Sequence, residues 1–237
     1  MYRQLDDDRI IETLQRLRDR ITERFPGSSL SRVGDELLTV ARESASHIAY
    51  LAQPSWWVRT SVGLAIFVMM AGLVAATSRM RLDAGGMTWA ELVQGVEAVI
   101  NDVVFLGIAI FFLLTIETRL KRRRALAALH QLRSIAHVVD MHQLTKDPEQ
   151  LLSNPPSTAS SPSRTMSRAE LGRYLDYCSE MLSLIGKIAA LYAQYFDDRV
   201  VLEAVDEVED LSTSLARKIW QKIMILNEAA ARQTKAN

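Results

Sequence analysis

Apolar residues are concentrated in two stretches of the chain and are spaced periodically elsewhere. Thr60–Ser78 is a run of 19 residues without a charged side chain, and Val103–Ile116 is a second uncharged run of 14. A helix of about 19 residues rises about 28 Å, which matches a hydrocarbon core of about 30 Å. The pattern therefore predicts two membrane-spanning helices, at about 57–78 and 98–118, joined by a short outside loop at 79–97.

The first predicted span begins with residues that favour a membrane interface. Trp56, Trp57 and Arg59 follow Pro54, and paired indoles beside a cation are typical of the membrane–water boundary. The alternative, a core helix of a soluble protein, would need apolar cover on every face. Because a long charged segment precedes the run, we expect an uncleaved signal-anchor and not a cleaved signal peptide.

The second predicted span has to include a charged residue if it is to be long enough. Its uncharged part is 14 residues, so a span of about 20 takes in Asp102 or Glu117. One interpretation places both carboxylates in the headgroup regions. The other places Asp102, together with Asn101, inside the membrane against a partner helix or water, where a charge is costly and therefore functional.

Basic residues decide the predicted orientation. The loop at 79–97 has two arginines against three acids, whereas five basic residues directly follow the second span. An excess of lysine and arginine marks the cytoplasmic side. We therefore expect a multi-pass protein of the inner (plasma) membrane with both termini in the cytoplasm. The predicted interface anchors are Trp56, Trp57, Arg59, Arg119, Lys121, Arg122, Arg123 and Arg124.

Helical periodicity predicts a cytoplasmic hairpin over residues 1–55. An apolar stripe recurs at four- and three-residue steps from Ile10 to Ile21, and a second runs from Leu30 to Leu51. The turn Phe25-Pro26-Gly27 separates the two stripes. This segment is therefore expected to lead into the membrane as two antiparallel helices.

Three further segments follow the predicted transmembrane hairpin at 56–118. A cytoplasmic stalk helix is expected at 119–147, a flexible Ser/Pro-rich linker at 148–166, and a second helical hairpin at 167–237. Ser167 and Glu170 match a capping box at its start. The apolar faces of this last hairpin are wider than a two-stranded coil needs, so we expect self-association or docking onto the N-terminal hairpin. The fold class is all-α: a two-span transmembrane helical hairpin with cytoplasmic helical hairpins before and after it.

Composition excludes several classes of protein. Cys178 is the single cysteine, so it forms no internal disulfide and no multi-cysteine metal site. The net charge is zero, so we expect no nucleic-acid partner. Strand signals and the common catalytic, nucleotide-binding and metal-binding motifs are absent from the sequence. We therefore predict no enzymatic activity, no catalytic or metal-binding residue and no cofactor.

One polar patch on the stalk remains as candidate chemistry. His130, Arg133, His137 and Asp140 share one arc of the helix. As a site, His137 and Asp140 could bind a metal or handle a proton, or Arg133 and the histidines could bind an anion. The preferred interpretation is structural, because two histidines and one acid fall short of a metal site. We expect these side chains to lie near acids of the N-terminal hairpin or of the acidic run at 197–210.

The resulting functional hypothesis is a non-enzymatic membrane scaffold or adaptor. The lipid bilayer is one predicted partner, and a second copy of the chain or another helical protein is the other. The alternative is an oligomeric two-span pore or membrane-perturbing effector, with Asn101 or Asp102 facing inward. In its order of segments alone, the chain is similar to small two-span bacterial proteins with cytoplasmic helices, among them SLATT-type membrane effectors. A shared layout does not by itself imply a function.

Overall fold

The computed structural model describes residues 4–52, 56–82, 89–146, 148 and 166–236. These residues form helices and no strand. The predicted linker at 148–166 lies almost entirely outside the described residues, as does the N-cap Thr88 of the second predicted span. The helices are α1 (Asp7–Arg24), α2 (Ser29–Ala52), α3 (Trp56–Leu82), α4 (Trp89–Leu144), α5 (Arg168–Tyr195) and α6 (Arg199–Ala236).

The chain divides into two compact units. Unit 1 combines Met1–Ala52 with Arg124–Asn237, and unit 2 is Gln53–Arg123. Helix α4 is continuous over 56 residues, so the second predicted span and the predicted stalk lie on one helix. The segments predicted as N-terminal hairpin, stalk and C-terminal hairpin therefore meet in a single unit, although long stretches of sequence separate them.

The N-terminal hairpin forms at the positions that the periodicity indicates. Asp6 caps α1 by accepting a hydrogen bond from the backbone N–H of Arg9 at 3.1 Å. Helix α1 ends at Phe25, whose N–H donates to the carbonyl of Ile21 at 2.8 Å. Gly27 then adopts a φ of 68°, a left-handed conformation that L side chains rarely take. Both predicted stripes are buried: Ile10, Leu14, Leu17 and Ile21 on α1, and Leu30, Val33, Leu37, Val40, Ala41, Ile48 and Leu51 on α2.

Helices α5 and α6 form the largest helix–helix contact of unit 1. The predicted capping box is confirmed, since the Ser167 side chain accepts from Glu170 N–H and the Glu170 carboxylate accepts from Ser167 N–H. Asp198 caps α6 without a reciprocal bond, by accepting from the N–H groups of Val200 and Val201 at 3.1 and 3.3 Å. Apolar residues of α5 recur at four- and three-residue steps and are buried: Leu171, Leu175, Cys178, Leu182, Ile185, Ala189 and Tyr192.

Helix α5 also packs against α1 and α2, so the predicted docking onto the N-terminal hairpin is present. The ring of Phe25 lies edge-on to Tyr174 at 5.6 Å between centroids, and Arg20 binds Glu180 at 2.6 Å. The side-chain amide of Gln194 exchanges two hydrogen bonds with the backbone of Leu5, at 2.8 and 3.2 Å. The packing of α5 against α1 and α2 therefore buries apolar side chains of α5 within one chain.

Unit 2 contains α3 and the first part of α4, and many of its described large apolar side chains are exposed. Phe67 on α3 is 68% exposed, and Phe105 on α4 is 71% exposed. Within the described residues, Val93–Leu144 holds a stretch long and apolar enough to cross a membrane, and Thr60–Gly72 is a shorter apolar helix. Because one candidate span is present where two were predicted, the two-span hairpin is taken up below as a proposal.

Candidate functional site

The four side chains of the polar patch on α4 have separate surroundings. Arg133 donates to a carboxylate oxygen of Glu207 on α6 at 2.9 Å, so one member of the patch meets the acidic run. Asp140 accepts from the side-chain amide of Gln143 at 2.6 Å. His130 and His137 are both exposed. The four side chains therefore do not converge on a common point.

No ligand cluster forms around the histidines in the part of the chain that the structure describes. There, three metal-binding side chains come within ligand distance of one another at Asp6, Asp7 and Asp8. These acids lie at the start of α1 and are largely exposed, and Asp6 already serves as its N-cap. Exposed acidic groups of this kind repel one another in the absence of a cation and are common on helix N-termini, where the helix dipole favours them. They do not amount to a metal centre.

A groove between α2 and α4 was not anticipated from the sequence. It has a volume of about 430 Å³, and His130 lines it together with Glu36 and Glu43 of α2. Glu36 and Glu43 are seven residues apart, so they lie on one face of α2 two turns from each other. The sequence predicts acids of the N-terminal hairpin near the stalk patch, but it does not indicate that Glu36 and Glu43 are the acids that line a groove with His130.

The last turn of α4 is capped by a side chain from α6. The ammonium of Lys222 donates to the carbonyls of Gln143 and Lys146 at 2.9 and 3.5 Å. The carbonyl of Gln143 lies in the last turn of α4, at the negative end of the helix dipole, and it also accepts from the N–H of Lys146 at 3.1 Å. The carbonyl of Lys146 lies just beyond the end of the helix. The Lys146 ammonium lies 5.5 Å from the ring centre of Tyr174 on α5. The end of the stalk is therefore fixed to both α5 and α6.

A buried polar pair lies in the core between α2 and α5. The hydroxyls of Ser44 and Tyr192 are both buried, and neither has a hydrogen-bond partner among the described residues. Burial raises the pKa of Tyr192 to about 12, and the Ser44 hydroxyl, which lies close to the phenol oxygen but outside hydrogen-bond geometry, acts in the opposite direction. Burial also raises the pKa of the Cys178 thiol to about 12, so it is a small core residue and not a nucleophile.

The predicted interface anchors have different surroundings. Trp56 is exposed, whereas the side chains of Trp57 and Arg59 lie outside the described residues. Lys121 is buried and pairs with Glu117 at 3.0 Å, one helical turn away. The guanidinium of Arg124 lies 4.6 Å from the ring centre of Tyr50 on α2. Arg119 and Arg123 are exposed, and Arg122 is half-buried.

The intramembrane candidates Asn101 and Asp102 are both exposed on α4. They lie among large apolar side chains that are also exposed, including Val99, Val103 and Phe105. An ionised carboxylate in such a position requires water or a polar partner if the helix lies in lipid.

No protein-family model, no curated protein and no solved structure matches the chain.

Proposed function

We propose that the chain is an integral membrane protein that acts as a non-enzymatic scaffold or adaptor through its helical unit 1. The observation that carries this proposal is the contrast between the two units. Unit 1 buries its apolar stripes, whereas unit 2 leaves Leu64, Phe67 and Phe112 more than half exposed. Exposed apolar surface of this extent requires a lipid or protein environment.

In this proposal α3 and the first part of α4 cross the inner membrane as a hairpin. Lysines and arginines at 119–124 hold the end of the second span on the cytoplasmic side, and two crossings return the N-terminus to that side. Unit 1 then lies in the cytoplasm, where its exposed charges are hydrated. Its partners are lipid through unit 2, and a second copy or another helical protein through unit 1.

The membrane part of the proposal is tested by alkaline carbonate extraction of membranes that contain the full chain. We expect the protein to remain in the membrane pellet, and we expect Phe111→Lys to move a large fraction to the supernatant. A charge at the centre of a span costs about 3 kcal/mol on insertion scales. Met141→Lys, at an exposed position of unit 1, is the matched control and should leave the pellet fraction unchanged. Full extraction of the unmodified chain would overturn the proposal.

The scaffold part is tested by cross-linking in native membranes, followed by electrophoresis of the tagged full chain. We expect specific cross-linked species above the monomer mass, which disappear when exposed side chains of unit 1 are changed. A chain that remains monomeric and without a protein neighbour at every cross-linker concentration would contradict a scaffold.

The second candidate function is a pore, which the exposure of Asn101 and Asp102 among apolar side chains favours. Two spans per chain line a channel only when several copies form a ring. Liposomes that contain the purified chain would then conduct ions, with a cation flux that Asp102→Ala abolishes and Glu97→Ala, at an exposed position outside the uncharged run, preserves. The scaffold proposal expects no flux above that of protein-free liposomes.

A further inference from the structure

Helix α6 carries an exposed stripe of seven residues, and their spacing is the same towards either end of the helix when it is counted from Thr213. Its members are four, three, four, four, three and four residues apart, with Thr213 at the centre. At 100° per residue they fall within an arc of about 80° on one face of the helix. All are exposed except the half-buried Leu202, and Trp220 and Met224 are 59% and 56% exposed. The stripe consists of Leu202, Asp206, Glu209, Thr213, Arg217, Trp220 and Met224.

We propose that this stripe is the contact between two copies of the chain, with their α6 helices antiparallel about a two-fold axis at Thr213. In that arrangement each residue faces the one equally far from Thr213 on the opposite side. A two-fold contact of this kind joins the same patch of both copies, so the patch has to be complementary to itself.

The chemistry of the stripe satisfies this requirement at each pair of positions. Arg217 faces Glu209 of the second copy, which joins a guanidinium to a carboxylate. Trp220 faces Asp206 of the second copy, which joins an indole N–H donor to an acceptor. Met224 faces Leu202 of the second copy, which joins two apolar side chains. Every pair occurs twice because of the symmetry.

The surface beside the stripe has room for side chains from a second helix. A groove of about 460 Å³ lies between α5 and α6, and Thr213, Arg217 and Trp220 belong to its walls. Small residues, among them Gly186 and Ser212, line the groove, and a Cβ on Gly186 would lie 4.0 Å from that of Ser212. The Ser212 hydroxyl is buried without a hydrogen-bond partner in the described part of the chain. The long side chains of a second copy can therefore pack beside Trp220.

The expected population of this dimer rests on the proposed membrane function, because confinement in a membrane raises the effective concentration of the chain. The geometry of the contact does not depend on that proposal. From Leu202 to Met224 the stripe is about 33 Å long, and one helix pair falls at the low end of specific interfaces, below about 1,200 Å². Two copies confined to one membrane have a much higher effective concentration than free copies. We therefore expect a weak contact in dilute detergent and a populated one in the membrane.

Disulfide cross-linking in native membranes tests the axis. Thr213→Cys in the full chain places two thiols at the two-fold axis, whereas Ser214→Cys, also exposed, lies off the stripe and is the matched control. The native Cys178 is buried and contributes little background. We expect Thr213→Cys to form a covalent dimer about tenfold faster than Ser214→Cys, which corresponds to about 1.4 kcal/mol of preference. Equal rates, or no dimer through Thr213→Cys, would overturn the proposal.

Charge reversal in the Thr213→Cys background tests the pairing. Glu209→Arg alone and Arg217→Glu alone each oppose like charges twice, so we expect about a tenfold loss of covalent dimer. When the two single variants are co-expressed with different tags, every opposed pair is again a cation with a carboxylate, and the mixed dimer should recover. Folding defects or an unrelated ligand in the groove would not produce this recovery, so its absence would overturn the pairing. The covalent dimer is measured in the membrane fraction and in the soluble fraction. A failure of the membrane proposal is therefore distinguishable from a failure of the dimer proposal.

Discussion

Arg133 on α4 and Glu207 on α6 are joined across 2.9 Å, although 74 residues separate them in the chain. This contact brings the basic side of the stalk to the acidic run of the final helix. It fits the charge complementarity that the sequence predicts between the histidine patch and the acidic run. The side chains are 47% and 65% exposed, so water and salt screen the pair.

We expect Arg133→Gln to lower the free energy of unfolding by less than about 1 kcal/mol, because exposed ion pairs contribute little. A double-mutant cycle with Glu207→Gln, measured by thermal unfolding of the detergent-solubilised chain, isolates the pair. The coupling should be present at low salt and disappear at high salt. Arg173→Gln is the control, because Arg173 pairs with Asp176 within α5. A cycle with no coupling at low salt would show that the contact contributes nothing.

The buried hydroxyl of Tyr192 leads to a second prediction. Because this hydroxyl has no hydrogen-bond partner among the described residues, Tyr192→Phe removes an unsatisfied polar group and keeps the ring. We expect stability that is unchanged or slightly higher. Tyr192→Ala removes the ring from a fully buried position and should cost about 3–5 kcal/mol. Denaturant unfolding compares the three proteins, and a loss above about 2 kcal/mol in the phenylalanine variant would reveal a hydrogen bond.

The thiol of Cys178 should be unreactive in the folded chain. Burial favours its neutral thiol and raises the pKa to about 12, above the ordinary value of 9.0. The folded state thus holds the proton more tightly than the unfolded state, so this group's contribution to stability is complete below about pH 9 and is lost as the pH rises through about 12. We expect no reaction with a thiol reagent near neutral pH and stoichiometric reaction in denaturant. Rapid labelling of the native chain at neutral pH would contradict the burial.

The cap that Lys222 provides at the end of α4 leads to a fourth prediction. Lys222→Met keeps the length of the side chain but leaves the carbonyl of Gln143 without its 2.9 Å donor. We expect a loss of about 1 kcal/mol, typical of a removed hydrogen bond and helix-dipole contact. Lys218→Met, at an exposed position one turn earlier, should change the unfolding midpoint much less. A similar loss of unfolding free energy in both variants would show that Lys222 does not stabilise the end of α4 as a cap.

The sequence predicted the helices of unit 1 well, because each of them repeats its buried positions at short range. The stripe from Ile10 to Ile21 and the capping box at Ser167 are local patterns, and both are present as predicted. Contacts between distant helices leave no such repeat. No local pattern therefore indicated Lys222 at the end of α4 or the buried pair of Ser44 and Tyr192. Acids of the N-terminal hairpin were predicted near the stalk patch, but no pattern indicated that Glu36 and Glu43 are the ones beside His130.

The central claim is that the chain crosses the membrane twice and keeps unit 1 in the cytoplasm. The most direct measurement is labelling of single added cysteines with a membrane-impermeant maleimide, since the native Cys178 is buried. Gly85→Cys lies in the predicted outside loop, and Ser214→Cys lies on an exposed face of α6. We predict that Gly85→Cys reacts in cells whose outer membrane has been permeabilised while the inner membrane is intact. Ser214→Cys should react only after the inner membrane is broken. Reaction of Ser214→Cys in intact cells, or protection of Gly85→Cys until lysis, would contradict the account.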